Sequence, residues 1–240
     1  MLNIAVILAG GTGSRMGMDI PKQFIRLQDG RTVLETCVAA FQQNEHIDEI
    51  AIVMHPAHKA EAKQLLPLER YTKIHYWIDG GSERWESSLH AIEAINRKSS
   101  LVPRGAIVRR KESSMDVNLL IHDCARPFVS QAIITNTSLA LESHEAVTVA
   151  VPVTDTLYLT EPEKGIIQDV PPRSLYRRAQ TPQGFRLSVL RQAFEALQHS
   201  PTRQITDDVG VVRTFVPDLP IHLVPGEESN RKITYKEDIK

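Results

Sequence analysis

The sequence predicts an α/β fold: a doubly wound, mostly parallel sheet with a projecting β-arm. Short continuous apolar runs alternate with helical stretches, which is the pattern of a parallel sheet covered on both faces. Glycine- and aspartate-bearing loops follow two of those runs directly, and ligands of such sheets bind beyond the C-terminal strand ends. A turn-rich excursion at residues 154–172 interrupts the alternation and supplies the arm.

Taken in order, residues 3–9 (NIAVILA) form an apolar run expected of a strand buried on both faces. It ends in Gly10-Gly11-Thr12-Gly13. A helical stretch at 33–43 leads to a second run at 50–54 (IAIVM). A third run at 119–121 precedes His122-Asp123, and a helical stretch at 131–142 precedes a fourth at 146–153 (AVTVAVPV). Residues 97–118 break the pattern with Arg97, Lys98, Arg104, Arg109, Arg110 and Lys111, and read as a solvated basic loop or hairpin. There is no internal repeat and no low-complexity tract.

The 240 residues fit one domain, 1–240, which at this size needs no disulfide staple. Two cysteines, Cys37 and Cys124, make no disulfide framework and suit a reducing compartment. Lys plus Arg total 28 against 29 for Asp plus Glu, a balance that argues against a nucleic-acid binder. No apolar run approaches the roughly 20 residues that cross a bilayer, and the N-terminus lacks the charged region of a signal peptide. A soluble, cytoplasmic protein is expected.

The loop at residues 8–17 (LAGGTGSRMG) exposes bare amides after a buried strand, an arrangement that suits an anion. It is not the dinucleotide fingerprint, whose last glycine would fall on Met16, nor a Walker A loop, because Lys22 lies between Pro21 and Gln23. What remains is a glycine loop with Arg15 close behind it and Lys22 one segment later, two cations suited to a triphosphate.

The string A-G-G-x-G-x-R-M-G followed by Pro21-Lys22-Gln23-Phe24 resembles the sugar-phosphate nucleotidyltransferases. Within them it resembles the cytidylyltransferases that act on 2-C-methyl-D-erythritol 4-phosphate or on ribitol 5-phosphate. Further matches follow in order: Gly80-Gly81-Ser82-Glu83-Arg84 with Ser87, Ile121-His122-Asp123-Cys124-Ala125-Arg126-Pro127, Val153-Thr154-Asp155-Thr156, Gln180-Thr181-Pro182-Gln183, Thr206-Asp207-Asp208 and Asn230-Arg231-Lys232-Ile233-Thr234. Each motif is weak alone; their joint order across residues 8–234 is specific.

The resemblance implies a Rossmann-like fold and a reaction in which a phosphate oxygen attacks the α-phosphorus of CTP and releases pyrophosphate. It assigns Arg15, Lys22 and Lys232 as catalytic cations. Ala9, Gly10, Gly11, Thr12, Gly13, Gly81, Ser87 and Asp123 would bind the nucleotide, and Asp123 would hold a magnesium ion. Asp123, Arg126, Thr156, Arg173 and Thr181 would bind the polyol phosphate, some of them from a partner's arm, which implies a homodimer with a shared site. The leading substrate is 2-C-methyl-D-erythritol 4-phosphate, the isoprenoid precursor; the alternative is ribitol 5-phosphate for cell-wall or capsule polymers. A transferase using UTP or GTP, and a nucleotide-binding domain without catalysis, are the remaining readings.

Some residues depart from the family pattern. Ser82 stands where the erythritol-phosphate enzymes often carry aspartate, and Gly10-Gly11-Thr12 resembles the ribitol-phosphate branch. Cys124-Ala125 and residues 151–153 lean the other way. The basic insert is longer than usual, and the chain ends at Lys240, where a final helix is expected.

Other residues receive structural readings. His122 reads as packed or hydrogen-bonded rather than catalytic, since an ionised phosphate needs no general base. Cys124 and Cys37 read as buried filler, Asp207-Asp208 as capping residues, and Trp77 and Trp85 as packing beside the Gly80-Gly81 loop. The histidines show no metal-ligand spacing.

Overall fold

The computed structural model describes residues 1–11, 20–100, 117–200 and 205–239, the side chains of 98–100 and 236 excepted. Most of the basic insert therefore lies outside the described residues. The main sheet has seven strands in the order β3-β2-β1-β4-β8-β5-β9. They are β1 (Leu2–Leu8), β2 (Glu49–Met54), β3 (Ile74–Asp79), β4 (Val117–Asp123), β5 (Ala146–Pro152), β8 (Arg177–Arg186) and β9 (His222–Pro225). All are parallel except β8, which runs antiparallel to both β4 and β5.

Helices cover both faces: α1 (Val33–Gln43), α2 (Lys59–Leu65), α3 (Arg84–Ser100), α4 (Gln131–Ser143), α5 (Leu187–Gln198) and α6 (Asp208–Phe215). The period-2 alternation of a strand divides the core accordingly. Ala5, Ile7, Ile50, Ile52 and Leu120 join the layer that contains Leu34 of α1 and Ile133 of α4. Ile4, Val6, Ala51, Val53 and Leu119 join the layer that contains Ile92 of α3, Leu190 of α5 and Val211 of α6. This explains why β1, β2 and β4 carry continuous apolar runs (residues 4–8, 50–54 and 119–121) rather than an apolar residue at every second position.

Local chemistry sets the helix starts. Thr32 closes a capping box on α1: its hydroxyl accepts from the Glu35 N–H at 3.1 Å, and Glu35 accepts from the Thr32 N–H at 2.8 Å. Ser130 caps α4 by accepting from the Ile133 N–H at 3.2 Å, and Asp207 caps α6 by accepting from the Gly210 N–H at 2.9 Å.

The excursion after β5 forms a separate two-stranded antiparallel hairpin, β6 (Leu159–Glu161) and β7 (Ile166–Asp169). Gly165 turns it with a φ of 64°, a conformation that favours glycine. Tyr158, Leu159, Ile166, Ile167, Val170, Leu175 and Tyr176 are exposed on and beside it. The four apolar runs of the sequence are strands β1, β2, β4 and β5; β3, β8 and β9 carry no comparable apolar signal.

Candidate active site

Strands β2 and β3 lie on one side of β1, and β4 lies on the other, so the sheet order reverses between β1 and β4. A crevice outside the strand ends forms at such a point. Leu8 is in register with Asp123, the Cys124 N–H donates to the Leu8 carbonyl at 3.0 Å, and the Ala9 N–H donates to the Val53 carbonyl at 2.7 Å. Ala9 is buried, whereas Gly10 and Gly11 open progressively to solvent. A Cβ placed on Gly11 would meet no described atom within 4 Å.

The loop after β3 meets this glycine loop at Ser87. The Gly81 N–H donates to Ser87 Oγ at 3.0 Å, and Ser87 Oγ donates to the Glu83 carbonyl at 3.3 Å. A Cβ on Gly10 would lie 3.9 Å from the same Ser87 oxygen. Gly81 is sterically required, because its Cβ would sit 2.2 Å from Cβ of Glu86. Glu86 turns back over the loop and accepts from the Ser82 hydroxyl at 2.6 Å and the Ser82 N–H at 2.7 Å, bonds that hold its carboxyl below the usual range. Trp85 donates to Glu83 Oε2 at 2.8 Å and packs on the adjoining core layer.

Asp123, at the end of β4, is the electrostatic centre. Its Oδ1 accepts from Arg84 Nε at 3.1 Å and its Oδ2 from Lys232 Nζ at 2.7 Å. Burial would raise its pKa, but Arg84 and Lys232 outweigh that and hold the carboxyl ionised, well below the ordinary carboxylate range. Arg84 reaches the other way as well, donating from Nη1 to Oδ2 of the fully buried Asp208 at 2.7 Å. Burial would lower the Arg84 pKa; Asp208 and Asp123 together raise it above the ordinary range.

The loop after β9 carries Lys232 and is tied down at several points. Arg126 donates from Nη1 to the Asn230 carbonyl at 2.8 Å and from Nη2 to the Ala179 carbonyl at 3.2 Å. The Ile233 N–H donates to the Ala125 carbonyl at 2.8 Å, and Asn230 Nδ2 to the Thr181 carbonyl at 2.8 Å. Lys22 reaches the same loop, with Nζ 3.2 Å from the Thr234 carbonyl and 3.4 Å from that of Ile233. The two lysines are thus brought to one loop although 210 residues separate them in the chain.

Beneath Asp123, His122 is buried between Arg126 and Thr181. Burial lowers its pKa to about 4, so the ring is neutral at neutral pH. Nε2 faces the Arg126 carbonyl at 3.0 Å and must donate, which makes Nδ1 an acceptor. The Thr181 hydroxyl at 3.0 Å then donates to Nδ1 and accepts from the Asp123 N–H at 3.2 Å. The Cys37 thiol contacts Cys124 in the same layer, and burial pushes its pKa up; both cysteines are free.

Ala9, Gly10, Gly11, Lys22, Gly81, Ser87, Asp123, Arg126, Thr181 and Lys232 therefore gather around the ends of β1, β3 and β4. Thr12, Gly13 and Arg15 lie outside the described residues. Thr156 and Arg173 lie at the arm, exposed, where Arg173 donates to the Thr154 carbonyl; no described contact joins either to Asp123. The guanidinium of Arg126 and the hydroxyl of Thr181 are engaged with the protein itself, Arg126 with the Asn230 and Ala179 carbonyls and Thr181 with His122 and the Asp123 N–H. Asp208 departs from the capping reading, since only Asp207 caps α6. Arg84 and Asp208 lie in the Gly80–Arg84 and Thr206–Asp208 motifs, but no local pattern signals an ion pair across 124 residues.

Cations converging on an ionised aspartate beside open amides suit polyphosphate chemistry, and on a doubly wound sheet they define a nucleotidyltransferase. Residues 3–240 match the family described as 2-C-methyl-D-erythritol 4-phosphate cytidylyltransferase, and the chain belongs to that family. A protein of that name from Thermobifida fusca is 42% identical, with 98% of this chain and 89% of the relative covered. A "bifunctional ribulose 5-phosphate reductase/CDP-ribitol pyrophosphorylase" from Haemophilus influenzae is 33% identical over 99% of this chain and 46% of the relative. The crystal structure of a 4-diphosphocytidyl-2C-methyl-D-erythritol synthase from Anaerococcus prevotii superposes with a TM-score of 0.77 at 29% identity, covering 99% of this chain and 92% of that one.

Proposed function

We propose that this chain transfers CMP from CTP to the phosphate of 2-C-methyl-D-erythritol 4-phosphate. An oxygen of the polyol phosphate forms a bond to the α-phosphorus of CTP, the bond to the β-phosphate oxygen breaks, and pyrophosphate leaves. The observation that carries this reading is that Lys232 docks on Asp123, and Lys22 on the same loop as Lys232, at the switch point of the sheet where Asp123 is in register with the strand that leads into Gly10 and Gly11.

In this reading Ala9, Gly10, Gly11, Gly81 and Ser87 hold the base and ribose, because small residues let backbone amides approach a pyrimidine edge. Thr12, Gly13 and Arg15 complete the triphosphate loop. Lys22 and Lys232 offset the charge that develops on the α-phosphate and the leaving group, the step at which preorganised cations contribute most. Asp123, Arg126 and Thr181 face the polyol phosphate from this chain; Arg126 and Thr181 act chiefly by holding the Lys232 loop and Asp123 in place.

Among the described residues no group of three acidic, histidine or cysteine side chains could hold a metal by themselves. A single ionised carboxylate fits magnesium that arrives with a nucleotide, since this ion takes one or two carboxylates plus phosphate oxygens. Asp123 would hold it, and the ion would supply further charge neutralisation at the phosphates. A homodimer is part of the proposal: the exposed apolar arm would dock on a second copy, bringing Thr156 and Arg173 to the partner's polyol site. We assign the protein to the cytoplasm, in keeping with two buried free thiols. Among the described residues no helix is long and apolar enough to cross a membrane.

The test is pyrophosphate release by the purified protein with magnesium, each of CTP, UTP and GTP, and either 2-C-methyl-D-erythritol 4-phosphate or ribitol 5-phosphate. Turnover with CTP and the erythritol phosphate is expected. Preference for ribitol 5-phosphate, the reading favoured by Gly10-Gly11-Thr12 and by the name of the Haemophilus relative, would overturn the choice of polyol. Turnover with UTP or GTP but not CTP would overturn the cytidylyl assignment.

A further inference from the structure

We propose that Arg84 and Asp208 are positioning residues that keep Asp123 presented to Lys232, an inference that rests on the proposed cytidylyl transfer. Asp208 is completely buried at the first position of α6, and the only charge it meets among the described residues is Arg84. Its backbone is pinned from β8: Gln183 Oε1 accepts from the Asp208 N–H at 3.2 Å, while Gln183 Nε2 donates to Asp207 Oδ2 at 2.7 Å. The carboxylate is therefore a fixed anchor rather than a mobile counter-ion.

A guanidinium is a rigid planar fork, so anchoring one of its nitrogens fixes the direction of the others. With Nη1 on Asp208, Arg84 offers Nε to Asp123 and takes only Oδ1. Oδ2 is left for Lys232, on the solvent side. Without the anchor, Arg84 would be drawn into the two-bonded pairing that arginine and carboxylate favour. Oδ2 would then be shared by two like charges, and the hold of Lys232 at the site would weaken.

A need for stability alone does not account for this pair. Buried ion pairs are often replaced by apolar residues of similar size without loss. This pair is also incompletely satisfied, since Arg84 Nη2 and Asp208 Oδ1 are buried and have no hydrogen-bond partner among the described residues. Its outer end bears on the one aspartate at which Lys232 docks.

The experiment compares wild-type protein, Asp208→Asn and the double variant Arg84→Met/Asp208→Leu, measuring thermal midpoint, CTP affinity by calorimetry and steady-state turnover. Asp208→Asn should lower kcat about tenfold or more while CTP affinity changes less than about threefold, because the loss falls on the transition state rather than on binding. The double variant removes both charges, and should recover the thermal midpoint but not kcat. If Asp208→Asn does not fold, the double variant carries the comparison. A double variant with wild-type kcat would overturn the positioning role and leave only a structural one. Wild-type turnover in the same assay reports separately on the proposed transfer, so failure of the reaction and failure of this inference are distinguishable.

Discussion

Lys232 Nζ lies 2.7 Å from Asp123 Oδ2, closing a contact between residues 109 positions apart. The pair is open on the lysine side, where 42% of the Lys232 side chain is accessible, and closed on the aspartate side, at 14%. Such a lysine can leave its carboxylate for an incoming phosphate while Arg84 keeps Asp123 ionised.

Lys232→Ala and Lys22→Ala should therefore depress turnover far more than stability. Removing one preorganised contact to developing charge costs on the order of 10²–10³ in rate, whereas in the fold the bonds of Lys22 to loop carbonyls are only partly buried and Asp123 keeps Arg84 as its partner when Lys232 is removed. Steady-state kinetics alongside thermal melting checks this. Near-normal rates in both variants would rule out charge neutralisation as the main effect.

Arg173 lies at the exposed arm, and Arg173→Ala should raise the apparent constant for the polyol phosphate while leaving that for CTP nearly unchanged. If the site is shared between copies, mixing Arg173→Ala with Lys232→Ala at a polyol phosphate concentration too low to support either variant should restore activity through dimers in which one site draws both intact residues. Mixtures no more active than their parts would place arm and site in the same chain.

Gly81→Ala should weaken CTP binding and lower stability, because the new methyl would be driven against Cβ of Glu86, 2.2 Å away. Overpacking of this kind costs about 1–3 kcal/mol. Gly11→Ala meets open space among the described residues. It should fold normally and lose only nucleotide affinity. Calorimetric titration with CTP and urea unfolding of the two variants separate the cases.

Acid should destabilise the protein in two windows. Burial depresses the His122 pKa from its ordinary 6.5 to about 4. Between those values the unfolded chain binds a proton that the native state does not, so stability falls as pH is lowered from about 6.5 to about 4, with each pH unit weighing at most about 1.4 kcal/mol. Asp123 acts lower: its depressed carboxyl stabilises the native state above 3.8, and that contribution is lost as pH falls below it. Urea midpoints from pH 7.5 to 4.5 should decline in the wild type and decline less in His122→Gln. A flat wild-type profile over that range would contradict a neutral buried imidazole.

The legible parts of this protein were those with local causes. Burial on both faces gives β1, β2, β4 and β5 largely apolar runs, and such runs stand out from their neighbours. The other strands of the main sheet lack that cause: β3 (IHYWID) and β9 (HLVP) are the two edge strands, and β8 (RRAQTPQGFR) runs from the exposed arm into the core, with arginines at its outer end and a proline inside.

The sequence by itself determined the fold class, the glycine loop after β1, the aspartate at the end of β4 and the family, since these depend on chain periodicity and on short motifs in a set order. Only the tertiary structure decided what holds the aspartate: Arg84 backed by Asp208 from one side, Lys232 from the other, and the His122–Thr181 chain beneath. Those partners come from elements distant in the chain, and burial, charge and hydrogen-bond direction act through space once the sheet has brought them together.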